Sequence, residues 1–158
     1  MQIRGRQIAG RVCRRFRPGR SRLSSVKSED PVIAPLKQAL SGRKDVRLAI
    51  LFGSRARGKA RPESDADVAV LGEGLNLLKL ATDLSLAAGV EVDVVSLRDP
   101  GYPLLNAVLR DGLLLHEGER GAAAMWRSRA WLQAETDRPW FERMRDAYLR
   151  HLAEARHG

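Results

Sequence analysis

Apolar and polar positions alternate with two different periods along this chain, and the switches between them mark its elements. Val32, Ile33, Leu36 and Leu40 recur at helical spacing behind Ser28-Glu-Asp-Pro31, an acidic opening with an early proline, and Ser41-Gly42 closes that helix. Val46 to Phe52 is apolar on both faces apart from Arg47, which predicts a central strand covered on both sides. Gly53 to Gly58 reads as a tight turn and a short helix, and Lys59 to Ser64 as a loop. Asp65 to Leu71 is a second strand. Leu77, Leu80, Ala81, Leu84 and Ala88 make the buried stripe of a helix over Leu75 to Ala88, stopped by Gly89. Glu91 to Ser96 predicts a third strand, Tyr102 to Arg110 a helix with Pro103 in its first turn, and Leu113 to His116 a short last strand. From Glu119 to Arg156 the propensity is helical, with an interruption expected at Arg138-Pro139.

Strands alternating with helices over 158 residues predict one α/β domain with tails. The division expected is a basic leader at 1–28, a compact domain at 29–118 and a helical extension at 119–158. The formal charge of +9 would suggest a nucleic-acid partner, but its location changes that reading. Residues 1–28 hold nine Lys or Arg and no acid, which leaves 19 basic against 19 acidic residues elsewhere. The leader lacks an apolar stripe and is expected to be disordered. It reads as a nucleic-acid-binding arm, an organellar transit peptide or a solvated tail, the last being preferred. Direct nucleic-acid binding by the folded body is not expected. The single cysteine, Cys13, lies in the leader, so no intramolecular disulfide can form. No apolar run reaches the roughly 20 residues a membrane span requires, and a cytoplasmic protein is expected.

The chemistry concentrates in two places. Gly53-Ser54 follows the first strand, and Asp65 and Asp67 open the second, with ten residues between Ser54 and Asp65. Gly53 allows a sharp turn and a close ligand approach. Ser54 offers a hydroxyl, with N–H groups beside it that can meet phosphate oxygens. Asp65 and Asp67, two apart on a strand, face the same way. Adjacent carboxylates repel, and Mg²⁺, which binds hard oxygens through one or two carboxylates plus substrate phosphates, relieves that repulsion. Asp93, central to the third strand, joins them if the two strands are neighbours. The alternatives are surface acids for the three aspartates and a plain helix cap for Ser54. Arg55 and Arg57 could reach a triphosphate or simply be solvated. His116, on an apolar strand without a second ligand at zinc spacing, reads as structural. No Gly-x4-Gly-Lys-Ser/Thr loop is present, which argues against a P-loop nucleoside triphosphatase.

Gly53, Ser54, Asp65, Asp67 and Asp93 together resemble the DNA polymerase beta-type nucleotidyltransferase superfamily. The match is to its minimal (MNT) branch, whose signature is Gly-Ser, ten residues, Asp-x-Asp. The resemblance runs from about Pro31 to the C-terminus, and Asp111-Gly-Leu-Leu-Leu-His-Glu117 looks like the family's short last strand. It implies a small mixed, twisted sheet with flanking helices, and transfer of a nucleotidyl group from an NTP, ATP first, with pyrophosphate leaving. It implies two Mg²⁺ ions held by Asp65 and Asp67. Asp93 would hold the ion nearest the acceptor and help take the acceptor's proton. Gly53 and Ser54 would bind the β- and γ-phosphates. It also implies a partner: MNT antitoxins adenylylate a tyrosine of HEPN-domain ribonuclease toxins. A small-molecule transferase of the aminoglycoside type, and a non-catalytic antitoxin acting by sequestration, are the alternatives. Trp126, Trp131, Trp140, Phe141 and Tyr148, five of the chain's eight aromatics, lie in the tail. They either pack it onto its own domain or form a surface for a protein partner.

Overall fold

The computed structural model describes residues 30–155. The basic leader expected at 1–28, with Cys13, lies outside the described residues. Four strands, β1 (Val46–Phe52), β2 (Ala66–Gly72), β3 (Val92–Ser96) and β4 (Leu113–Glu117), form one sheet in the order β3-β2-β1-β4. β2 and β3 run parallel, while β1 is antiparallel to both β2 and β4, so the sheet is mixed. The apolar run of β1 does place it between two strands. Leu48, Ala49, Ile50 and Leu51 are buried from both sides.

Among the described residues four of five helices cover the two faces. α1 (Ile33–Leu40) and α3 (Leu77–Ala88) lie on one face, where Leu36, Leu40, Leu80 and Leu84 pack with Ala49, Leu51, Val68 and Val70. α4 (Tyr102–Asp111) and α5 (Ala122–Ala155) lie on the other, where Leu105, Val108, Trp126 and Ala130 meet Leu48, Ile50 and Ala69. The single-turn α2 (Gly53–Ala56) sits at the end of β1. Each buried leucine of this kind contributes about 1.5–3 kcal/mol of hydrophobic stabilisation.

Two expectations need correction. The first helix begins at Ile33, two residues beyond Pro31, because Pro31 and Val32 form a turn closed by the Ile33 N–H on the Asp30 carbonyl, with the Asp30 carboxylate accepting from the Val32 N–H at 3.1 Å. The tail is not interrupted at Arg138-Pro139: α5 is one helix of 34 residues with Pro139 inside it. Pro139, itself exposed, leaves the carbonyl of the half-buried Glu135 without its helical N–H partner. His116 is structural as expected, with Nε2 3.2 Å from the Val46 carbonyl oxygen.

Candidate active site

The C-terminal end of β1 and the N-terminal ends of β2 and β3 meet at one edge of the sheet. Phe52 pairs with Asp67 across β1 and β2, and Asp67 pairs with Asp93 across β2 and β3. In-register neighbours point to the same face, here the one covered by α4 and α5, where Ala69 and Ile50 lie. Asp65 stands just before β2. It and Asp93 are exposed, while Asp67 between them is half-buried. The Asp67 carboxyl is pushed above the ordinary carboxylate range, first by burial, then by the charges of Asp93 and Asp65, with Arg57 opposing. Asp67 therefore lies close enough to Asp93, its partner across β2 and β3, and to Asp65 to feel the charge of each.

Gly53 completes the cradle. Its φ is +74°, and a Cβ there would collide with Oδ2 of Asp67. The turn therefore lies flush against the central carboxylate, and Ser54 follows it, half-buried, in the first turn of α2. Among the described residues no group of three or more His, Cys, Asp or Glu side chains comes together closely enough to hold a metal ion by itself. The donor set is an open row of carboxylates beside a turn. That chemistry fits Mg²⁺, which keeps waters and takes part of its coordination from substrate phosphates.

The two arginines separate. Arg55, considered above as a phosphate ligand, is 2% exposed and unavailable to one. Its Nε donates to the Ser64 carbonyl at 2.9 Å, one terminal nitrogen to both Asp30 oxygens at 3.1 Å, and the other to the carbonyls of Pro62, at 2.9 Å, and Ser64. All five donors are engaged. Arg57 is exposed and donates to Asp111 at 2.8 Å. Asp111 is held below the ordinary carboxylate range, chiefly by its hydrogen bonds from Arg110, against burial, and also by that from Arg57.

Asp30 and Asp111 did not register as site residues in the sequence. The one weak signal was an acid at each end of the segment carrying the motif. A hollow of about 940 Å³ wraps the loop after α2, lined by Arg57, Lys59, Arg61, Arg110, Asp111 and Trp126 among others. Asp65, Asp67 and Asp93 do not line it. Arg57, which lines the hollow and opposes the upward shift of Asp67, lies between the hollow and the carboxylates.

The family model described as "Polymerase beta, Nucleotidyltransferase" matches residues 35–120, more than half of the chain. A Methanocaldococcus jannaschii protein, provisionally named a protein adenylyltransferase, is 37% identical over 73 residues, which are 44% of this chain and 73% of that protein. The fold is similar to a chain in the crystal structure of a toxin–antitoxin with AMP-PNP. The TM-score is 0.64 and the identity 22%, over 74% of this chain and 98% of that one. It is also similar to a chain in the structure of a tri-AMPylated Shewanella oneidensis HEPN toxin in complex with its MNT antitoxin. There the TM-score is 0.56 and the identity 22%, over 77% of this chain and 96% of that one.

Proposed function

This chain belongs to the polymerase beta nucleotidyltransferase family, and on that premise we propose that it is a Mg²⁺-dependent antitoxin that moves AMP from ATP onto a tyrosine of a HEPN-type ribonuclease. The observation that carries the catalytic part is the register Phe52–Asp67–Asp93 with Gly53 against the Asp67 carboxylate. Asp65, Asp67 and Asp93 would hold Mg²⁺, two ions in all. Bound there, the metal supplies neutralisation of the charge on the triphosphate and the departing pyrophosphate. The N–H groups and hydroxyl around Gly53 and Ser54 orient the β- and γ-phosphates. Arg57, exposed, paired with Asp111 and near enough to influence Asp67, adds a cation on the same side.

In the transfer, the acceptor oxygen forms a bond to the α-phosphorus of ATP as the bond to pyrophosphate breaks. The acceptor's proton would pass to Asp93, one of the two exposed carboxylates of the row. A phenol ionises near pH ~10, so a base beside it is needed at neutral pH. The added phosphodiester carries about one negative charge and would repel RNA phosphates at a ribonuclease site.

The long helix supports a protein acceptor. Trp126, Ala130 and Ala134 are buried on the domain. At intervals of three, four and seven residues the same face of α5 continues through Phe141, Met144, Tyr148 and Leu152. Phe141 stacks on Tyr102, with ring centroids 4.9 Å apart. Beyond it Met144 and Tyr148 are 53% and 62% exposed. The apolar face outruns the domain that covers its first half, and aromatic, Met and Arg residues are those enriched where proteins dock. The folds it resembles include an antitoxin in complex with a HEPN toxin, which supports that class of partner. Among the described residues no helix is long and apolar enough to cross a membrane, so α5 does not read as a membrane span.

Calorimetric titration of Mg²⁺–ATP tests the catalytic reading. One nucleotide per chain should bind, and the double variant Asp65→Asn, Asp67→Asn should lose that binding while keeping its fold. Equal binding by the double variant would refute the assignment.

A further inference from the structure

We propose that Arg55 is a positioning residue: its guanidinium clamps the loop before Asp65 onto the turn carrying Gly53 and Ser54, so that the two halves of the motif are held in one geometry. Arg55 sits on α2, one residue after Ser54. Its side chain reaches across to Pro62 and Ser64, the last residues before Asp65, and to Asp30, whose side chain is 13% exposed. Among the described residues these are the only side-chain hydrogen bonds joining α2 to residues 62–64. The other side-chain bond of this loop, from the Arg61 N–H to the Ser64 hydroxyl, stays within it.

A guanidinium suits this task because it is planar, always charged and presents five donors in fixed directions. Asp30 neutralises it and accepts two of the five bonds, and carbonyls of the loop accept the other three. A lysine in its place has the charge but cannot span three acceptor groups. It would leave loop carbonyls unpaired inside the protein, which buried backbone groups rarely are. The ten-residue spacing between Ser54 and Asp65 then has a physical meaning. It is the length of chain that leaves α2, turns, and returns its carbonyls to Arg55. A positioning error of about 1 Å at such a site is enough to weaken catalysis by two orders of magnitude.

The nucleotide readout rests on the function proposed above, while a second readout does not. The test compares wild type, Arg55→Lys and, as a control for lost stability, Leu36→Ala in the core under α1. Mg²⁺–ATP affinity is measured by calorimetry, and backbone order by amide hydrogen exchange. Arg55→Lys should weaken Mg²⁺–ATP binding fivefold or more and speed exchange at residues 53–54 and 64–67. Leu36→Ala should lower the melting temperature and leave both nearly unchanged. In Arg55→Ala, millimolar guanidinium should restore part of the affinity. A loss under fivefold in Arg55→Lys, or an equal loss in Leu36→Ala, would overturn the proposal. If wild type binds no Mg²⁺–ATP, the functional reading fails and the exchange pattern alone decides the clamp: faster exchange on both sides of it supports the proposal, and unchanged exchange overturns it.

Discussion

Gly53 and Asp67 are packed so closely that a single methyl group on Gly53 would occupy the place of the Asp67 carboxylate oxygen. Gly58 has a similar backbone, with φ +67°, but open space where its Cβ would go. The pair separates backbone strain from site geometry. Gly53→Ala and Gly58→Ala should each destabilise the fold by about 1–2 kcal/mol, from the positive φ. Only Gly53→Ala should also abolish Mg²⁺–ATP binding, because Asp67 must rotate away to admit the methyl. Equal nucleotide affinity in the two variants would show that Asp67 is not where the metal is held.

Asp67 gives a pH dependence of definite sign. Its folded-state pKa lies above the ordinary 3.8, through burial and then the charges of Asp93 and Asp65. The stability associated with its protonated form is present below the unfolded pKa and is lost as pH rises through the folded one. Asp67→Asn cannot ionise and escapes that loss. Its melting temperature without metal should exceed that of wild type at pH 7, and the difference should close as pH falls below about 4. Added Mg²⁺ should narrow the gap at pH 7 from the wild-type side. A variant less stable than wild type at pH 7 without metal would contradict the repulsion.

The two ends of α5 should respond differently to truncation of a tryptophan. Trp126, 8% exposed and packed with Leu48, Ile50 and Val108, should cost about 3–5 kcal/mol as Trp126→Ala. Trp140, 60% exposed, should cost within about 0.5 kcal/mol as Trp140→Ala. Urea denaturation of both variants checks this. A large loss at Trp140 would mean that the distal half of α5 folds back onto its own domain.

Much of the site was legible because its signals are local. An apolar run ending in Gly-Ser, and acids two apart at a strand start, follow from backbone periodicity alone, and Asp93 needed only the adjacency of β2 and β3. What the sequence left open depends on distant partners. Arg55 and Arg57 are two residues apart and chemically identical. Only the fold reveals that Asp30 and two loop carbonyls take up every donor of one and leave the other exposed. Pro139 misled for a related reason. An interior proline loses one backbone hydrogen bond and crowds the preceding turn, yet here α5 runs on through the exposed Pro139. The tail aromatics divided between the two readings offered for them: Trp126 is in the core, Trp131 is exposed on the outer face of a stretch whose Ala130 and Ala134 are buried, and Trp140 and Tyr148 are exposed beyond the part of α5 that the domain buries.

The most direct measurement is intact-mass spectrometry of a HEPN-type partner after incubation with this protein, ATP and Mg²⁺, with the modified residue located by fragmentation. The partner should gain AMP units on tyrosine and lose its ribonuclease activity, and Asp67→Asn should do neither. Silencing of the ribonuclease by Asp67→Asn as complete as by wild type, with no change in mass, would contradict transfer and leave sequestration as the mechanism.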